Sequence, residues 1–115
     1  MSKKDTLQVD NQRLAEAWAR TLPTVLNSSD RAEVVADEAE PNVLRVHIAT
    51  AGRNNYSFDF KCTYVDSREV KVDLVDVERD GNNVDERTEI IQTLVDDYVR
   101  HIHECAQQLH AFTRS

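Results

Sequence analysis

The chain has 115 residues, which is enough for one domain with a single core. Hydrophobic residues make up 40% of it and charged residues 30%, and fourteen Lys plus Arg against twenty-one Asp plus Glu give a formal net charge of −7. Because nucleic-acid grooves and anionic membranes attract Lys and Arg, this balance argues against both partners. The start MSKKDTLQVD lacks the apolar stretch of a signal peptide, and Cys62 and Cys105 form neither a disulfide framework nor a zinc signature. We therefore expect a soluble cytoplasmic protein.

The N-terminal region predicts a tail followed by a helix. Residues 1–8 are polar and without periodicity, so we expect a disordered tail and a single domain over 9–115. Asp10 or Asn11 can cap the helix, whose apolar residues recur at helical spacing: Leu14, Trp18, Leu22 and Val25 or Leu26. Pro23 lacks a backbone donor, and it either kinks this helix or divides it.

Four segments then have the alternation of β-strands, namely 31–37, 43–50, 55–65 and 69–77. The third is the clearest, with five inward side chains: Tyr56, Phe58, Phe60, Cys62 and Tyr64. In the fourth, the alternation changes phase after Leu74, since Val75 and Val77 continue it on the opposite face. A β-bulge or a partly covered outer face would account for this change.

A long helix over 84–112 is predicted to close the chain. Asn83 and Glu86 have the spacing of a capping box, and the apolar stripe keeps heptad spacing: Ile91, Val95, Tyr98, Ile102, Cys105, Leu109 and Phe112. Such a helix would be about 43 Å long. A compact chain of this size has a radius of gyration near 13 Å. Part of the stripe is therefore expected to overhang the sheet.

These elements predict a two-layer α+β sandwich. An N-terminal helix, a four-stranded antiparallel meander sheet and a long C-terminal helix are expected, with both helices on the sheet face formed by Leu44, Phe58, Phe60 and Val72. The order of elements is similar to that of the double-stranded-RNA-binding domain. That family has three strands and a basic cluster at its second helix, whereas Asp85, Glu86 and Glu89 open the helix here, and we exclude it.

The motifs that could carry chemistry are incomplete. Segment 76–87 resembles the front half of an EF-hand loop, but Arg87 occupies the position of the bidentate carboxylate. Asp97, His101 and Cys105 share one helix face, yet they fall short of a structural zinc site, and nothing nearby would lower the pKa of the thiol. We expect no metal, no cofactor and no catalytic site.

Three functions remain open. The first is a non-catalytic protein that acts through protein–protein contacts, either with another protein or with a second copy of itself as a homodimer. It would use an outer sheet face, where Val43, Val65, Val75 and Val77 mix with charged side chains, and the end of the last helix. The expected contact residues are Val43, Arg45, His47, Lys61, Asp73, Val75, Leu109 and Phe112. The second is an acidic inhibitor or immunity-type protein that blocks a basic site or mimics DNA. The third is a small-ligand binder or enzyme with a pocket between sheet and helices.

Overall fold

A computed structural model describes residues 10–26, 30–50, 56–66, 69–79, 82–83 and 88–110. Its elements in chain order are α1 (Asn11–Val25), β1 (Arg31–Ala36), β2 (Val43–Ala49), β3 (Tyr56–Tyr64), β4 (Val70–Arg79), β5 (Asn82–Asn83) and α2 (Glu89–Gln108). The predicted order of helix, four strands and helix is confirmed, and β5 is a short addition to it. The predicted tail, 1–8, lies outside the described residues.

Helix α1 begins at the predicted cap. The Asp10 carboxylate accepts hydrogen bonds from the backbone N–H groups of Gln12 and Arg13, donors that have no partner within the first turn of the helix. Helix α1 buries Leu14, Trp18 and Leu22 of the predicted stripe, together with Ala15 and Ala17. Pro23 does not divide the helix, which continues to Val25.

The sheet is an antiparallel meander in the order β1-β2-β3-β4-β5. In its centre, Val46 lies opposite Phe60 and Ile48 lies opposite Phe58. All four side chains are buried, whereas the alternate residues of β3 are partly exposed, namely Ser57, Asp59, Lys61 and Thr63. The predicted inward and outward faces of β3 are therefore confirmed.

A bulge in β4 explains the change of phase. Asp59 pairs with Asp76 while Phe60 pairs with Leu74, which leaves Val75 as an extra residue on β4. Val75 is 48% exposed, and Val77 is fully buried. The predicted bulge is confirmed. The placement of Val77 on the outer face is wrong, because the extra residue turns it back to the inner face.

Helix α2 is shorter than predicted. It begins at Glu89 after the cap residue Thr88, whereas Asn83, the expected cap, lies in β5 opposite Glu78. The twenty residues of α2 span about 30 Å. At its C-terminal end, Leu109 packs against the core. The predicted start at residue 84 and the overhang at Leu109 are both wrong, and Phe112 lies outside the described residues.

Both helices pack on the same face of the sheet. Helix α1 contacts β1 and α2, and α2 also contacts β4. Between the layers, the Trp18 Nε1–H donates a hydrogen bond of 3.0 Å to the Tyr64 hydroxyl, and the Phe58 ring lies 5.1 Å from that of Tyr98. The two-layer α+β fold is confirmed, and no helix or strand that the structure describes covers the opposite face of the sheet, here called the outer face.

Candidate protein-interaction surface

The outer face carries an open depression of about 460 Å³, here called the outer groove. Its walls come from all four long strands: Glu33, Val35, Arg45, Val46, His47, Asp59, Phe60, Val75 and Asp76. Val35 on β1 and Val75 on β4 are 58% and 48% exposed. The groove therefore has exposed apolar side chains at two opposite sides and polar groups between them.

An acidic row crosses the groove. Strand pairing places Glu33 opposite His47, His47 opposite Asp59, and Asp59 opposite Asp76. The His47 ring Nδ1 lies 2.7 Å from Asp59 Oδ1. Among the described residues, neither Glu33 nor Asp76 forms an ion pair with a basic side chain. The row consequently presents uncompensated negative charge to solvent.

Two basic residues of the outer face, Arg45 and Lys61, are held by the β1–β2 loop. Arg45 Nε donates to Asp37 Oδ1 at 2.9 Å, and Lys61 Nζ donates to Glu40 Oε1 at 3.2 Å. The Arg45 hydrogen bond is the main cause that lowers the pKa of Asp37, and the backbone N–H of Glu40 adds to it. These contacts neutralise the basic side chains locally, and the groove retains its acidic character.

Val43 is the predicted contact residue that the structure contradicts. Its side chain is only 1% exposed. The β1–β2 loop is fixed beside it, because the Asp37 N–H donates to the Val43 carbonyl and the Asp37 carboxylate holds Arg45, two residues further along β2. Val43 is therefore part of the buried structure, and it is removed from the candidate surface.

The other predicted residues that the structure describes divide into three groups. Arg45, His47 and Val75 line the outer groove. Lys61 and Asp73 lie opposite each other on β3 and β4, and the Asp73 side chain is exposed. Leu109 belongs to the helical side of the molecule.

Six of the nine groove residues were not among the predicted contacts, namely Glu33, Val35, Val46, Asp59, Phe60 and Asp76. Segment 31–37 is short and flanked by acidic residues, and its two faces were not assigned. Its pairing with β2 is what places Glu33 and Val35 next to His47 and Arg45. Asp76 joins this face only because the bulge at Val75 shifts the pairing of β4. Val35 pairs with Arg45 of β2. Had this register been known, the alternation of 43–50 would have placed Val35 on the outer face.

The carboxylate of Asp37 makes stability depend on pH. Its pKa is lower in the folded chain than in the unfolded chain, so the stabilisation is present at neutral pH and is lost as the pH falls through the folded pKa. We expect Asp37→Asn to be less stable than the parent at neutral pH and to lose less stability on acidification. Urea midpoints from neutral pH to below the ordinary Asp pKa of about 3.9 measure this.

Glu38→Gln is the matched control, because Glu38 is an exposed acid of the same loop. This control should follow the parent over the whole pH range. If Asp37→Asn and the parent lose stability in parallel, Asp37 does not hold the loop as described.

Asp97, His101 and Cys105, which were considered as metal ligands or a nucleophile, have separate partners or surroundings in the structure. Asp97 accepts from Arg100 at 2.8 Å, His101 contacts Glu104 at 2.8 Å, and Cys105 is fully buried. Burial raises the pKa of the Cys105 thiol to about 12, which keeps it protonated and a poor nucleophile. The described residues contain no group of three or more His, Cys, Asp or Glu side chains placed to hold a metal ion.

Comparisons with family models, curated proteins and solved structures gave no significant match for this chain. In the part of the chain that the structure describes, no helix is long and apolar enough to cross a membrane. The geometry of the described residues is therefore the basis for a functional argument.

Proposed function

We propose that the protein is a non-catalytic binding protein that holds a segment of a partner protein in the outer groove. The observation that carries this proposal is the combination of Val35 and Val75, exposed at opposite sides of the groove, with the acidic row between them. Apolar contacts that exclude water, surrounded by polar groups, are the usual composition of a protein–protein interface.

The charge of the groove defines the partner. Glu33 and Asp76 form no ion pair with a basic side chain among the described residues, while Arg45 is held by Asp37. A segment with an apolar side chain flanked by Lys or Arg would satisfy both features, because opposite charges steer and orient a partner. In this proposal the protein is cytoplasmic, since its two cysteines, Cys62 and Cys105, are free and buried.

The acidic inhibitor remains a second candidate. Three of the four residues in the row Glu33, His47, Asp59 and Asp76 are carboxylates, and such a row could cover a basic site on an enzyme. High salt would release that complex, whereas a complex held mainly by Val35 and Val75 would persist. The hypothesis of a pocket enclosed between sheet and helices is not favoured, because Trp18 and Phe58 are fully buried in the centre of that space and the cleft between α1 and β1 lies at the edge of the sheet.

Selection from a random peptide library displayed on phage tests the proposed partner chemistry. We expect enriched sequences to contain an aliphatic or aromatic residue beside Lys or Arg. The double variant Glu33→Gln/Asp76→Asn should weaken the selected peptides roughly tenfold, which is about 1.4 kcal/mol, because it removes the two uncompensated carboxylates.

The matched control is Glu38→Gln/Glu89→Gln, which changes the net charge by the same amount at exposed residues outside the outer groove. This control should bind the selected peptides as the parent does. Enrichment of acidic peptides, or equal loss of affinity in both double variants, would contradict the proposal.

A further inference from the structure

Strand β1 is an edge strand, and its hydrogen-bonding groups have a defined direction. The Asp37 N–H donates to the Val43 carbonyl at 3.0 Å, which makes these two residues a hydrogen-bonded pair of the antiparallel ladder. Along an antiparallel strand, hydrogen-bonded pairs alternate with non-hydrogen-bonded pairs, whose backbone groups point to the other side. Within β1, the residues that direct their N–H and C=O groups away from β2 are Ala32, Val34 and Ala36. No described residue pairs with this edge of β1, which therefore offers three donors and three acceptors.

An open cleft runs along this edge. It measures about 330 Å³ and lies between α1 and β1, with Gln12, Ala15, Glu16 and Ala19 on the helix side and Val34, Val35, Ala36 and Glu38 on the strand side. Ala32, Val34 and Ala36 are only partly buried, although they point toward the helical layer. Small side chains on both elements leave room for another strand.

The edge also lacks three features that commonly prevent pairing, namely a proline, a lysine and a bulge. Natural edge strands are commonly protected by proline, lysine or a bulge. Segment 31–36 has the sequence RAEVVA, which contains neither of those residues, and its register with β2 is continuous. The strand is thus able to accept a further strand along its whole length.

The geometry points to a second copy of this chain as the occupant: the β1 strands of two copies pair antiparallel about a two-fold axis centred on Val34, and one sheet runs through both chains. In this register Val34 lies opposite Val34 of the second copy, and Ala32 lies opposite Ala36. All three pairs involve residues with free backbone groups, and together they form six hydrogen bonds. This inference does not rest on the proposed function, because it concerns the backbone edge of β1, although the side chains of Glu33 and Val35 on that strand also line the outer groove.

The charges on β1 select this register. Centring the pair on Val34 places Arg31 opposite Asp37 of the second copy and Glu33 opposite Val35. Centring it on Glu33 places two Glu33 carboxylates opposite each other, and centring it on Val35 places Glu33 opposite Asp37. Like charges directly opposite destabilise a pair of strands. A pair centred on Ala32 overlaps over only three strand residues, 31–33, and forms a single hydrogen-bonded pair.

Cysteine cross-linking tests the inferred register. Residues in a hydrogen-bonded antiparallel pair have Cα atoms about 5.5 Å apart, within the range of a disulfide. We expect Val34→Cys to form a covalent dimer under mild oxidation with copper phenanthroline. Cys62 and Cys105 are buried, so the parent chain should not cross-link and serves as the negative control.

Two further variants serve as matched controls. Ala32→Cys and Ala36→Cys should not cross-link separately, since the two introduced thiols would lie four residues apart along the ladder, about 13 Å. A mixture of the two variants should cross-link. Dimers of Ala32→Cys alone would overturn the register. Light scattering of the unmodified chain, of 13.2 kDa, is the independent measurement, and a monomer at all concentrations would overturn the inference.

Discussion

Replacing Phe60 with alanine is expected to lower the free energy of unfolding by about 3–5 kcal/mol. Phe60 is 1% exposed, and its ring stacks on that of Phe58 with centroids 6.4 Å apart. Both residues belong to the core beneath the two helices, so the deletion leaves a cavity that rigid neighbours on three elements cannot fill. Equilibrium unfolding in urea measures the loss.

Lys61→Ala is the control on the next residue of the same strand. Lys61 points to the outer face and pairs with Glu40, which is more than half exposed. An ion pair of this kind contributes at most about 1 kcal/mol. If Phe60→Ala melts within a few degrees of the parent, or if Lys61→Ala costs as much as Phe60→Ala, the assignment of the two faces of β3 is reversed.

A charge at Val77 is expected to be the most damaging change in the sheet. Val77 is fully buried, and Val77→Asp would place a carboxylate among apolar groups of the core. Burying an unpaired charge is one of the few mechanisms that cost roughly 4 kcal/mol or more. We expect the variant to be largely unfolded, which circular dichroism and proteolysis at neutral pH would detect.

The neighbouring bulge residue gives the contrasting result. Val75 lies two positions before Val77, so a regular strand would place both on the same face. Because the bulge places Val75 on the outer face with 48% exposure, Val75→Asp should change stability by no more than about 0.5 kcal/mol. Equal damage from the two substitutions would mean that β4 has no bulge.

Periodicity predicted the fold well where one face of an element is apolar. The spacing of Leu14, Trp18 and Leu22 identified the buried side of α1, and the alternation of β3 identified its inner face. Even the bulge was predicted, since Val75 and Val77 follow Leu74 in the wrong phase. In each case burial of apolar side chains determines the structure, and the spacing of those side chains in the sequence indicates which face is buried.

Tertiary contacts could not be predicted from the local sequence pattern. Val43 alternates as an outer-face residue, but the β1–β2 loop is held beside it by the hydrogen bonds of Asp37. Asn83 has the spacing of a helix cap, yet its backbone pairs with Glu78 in β5 instead. Glu33 and Val35 were missed for the same reason, because they join the outer groove only through the register of β1 with β2.

Capture of partners from a lysate of the native cell, with three versions of the chain, tests the central claim that the outer groove is the binding surface. The versions are the parent, Val75→Asp in the groove, and Val65→Asp, which carries the same change at an exposed valine that does not line the groove. Val75 lies on β4, away from the β1 edge, so the result does not depend on dimer formation. We predict that the parent and Val65→Asp retain a stoichiometric partner and that Val75→Asp loses it. Equal capture by all three versions would contradict the account.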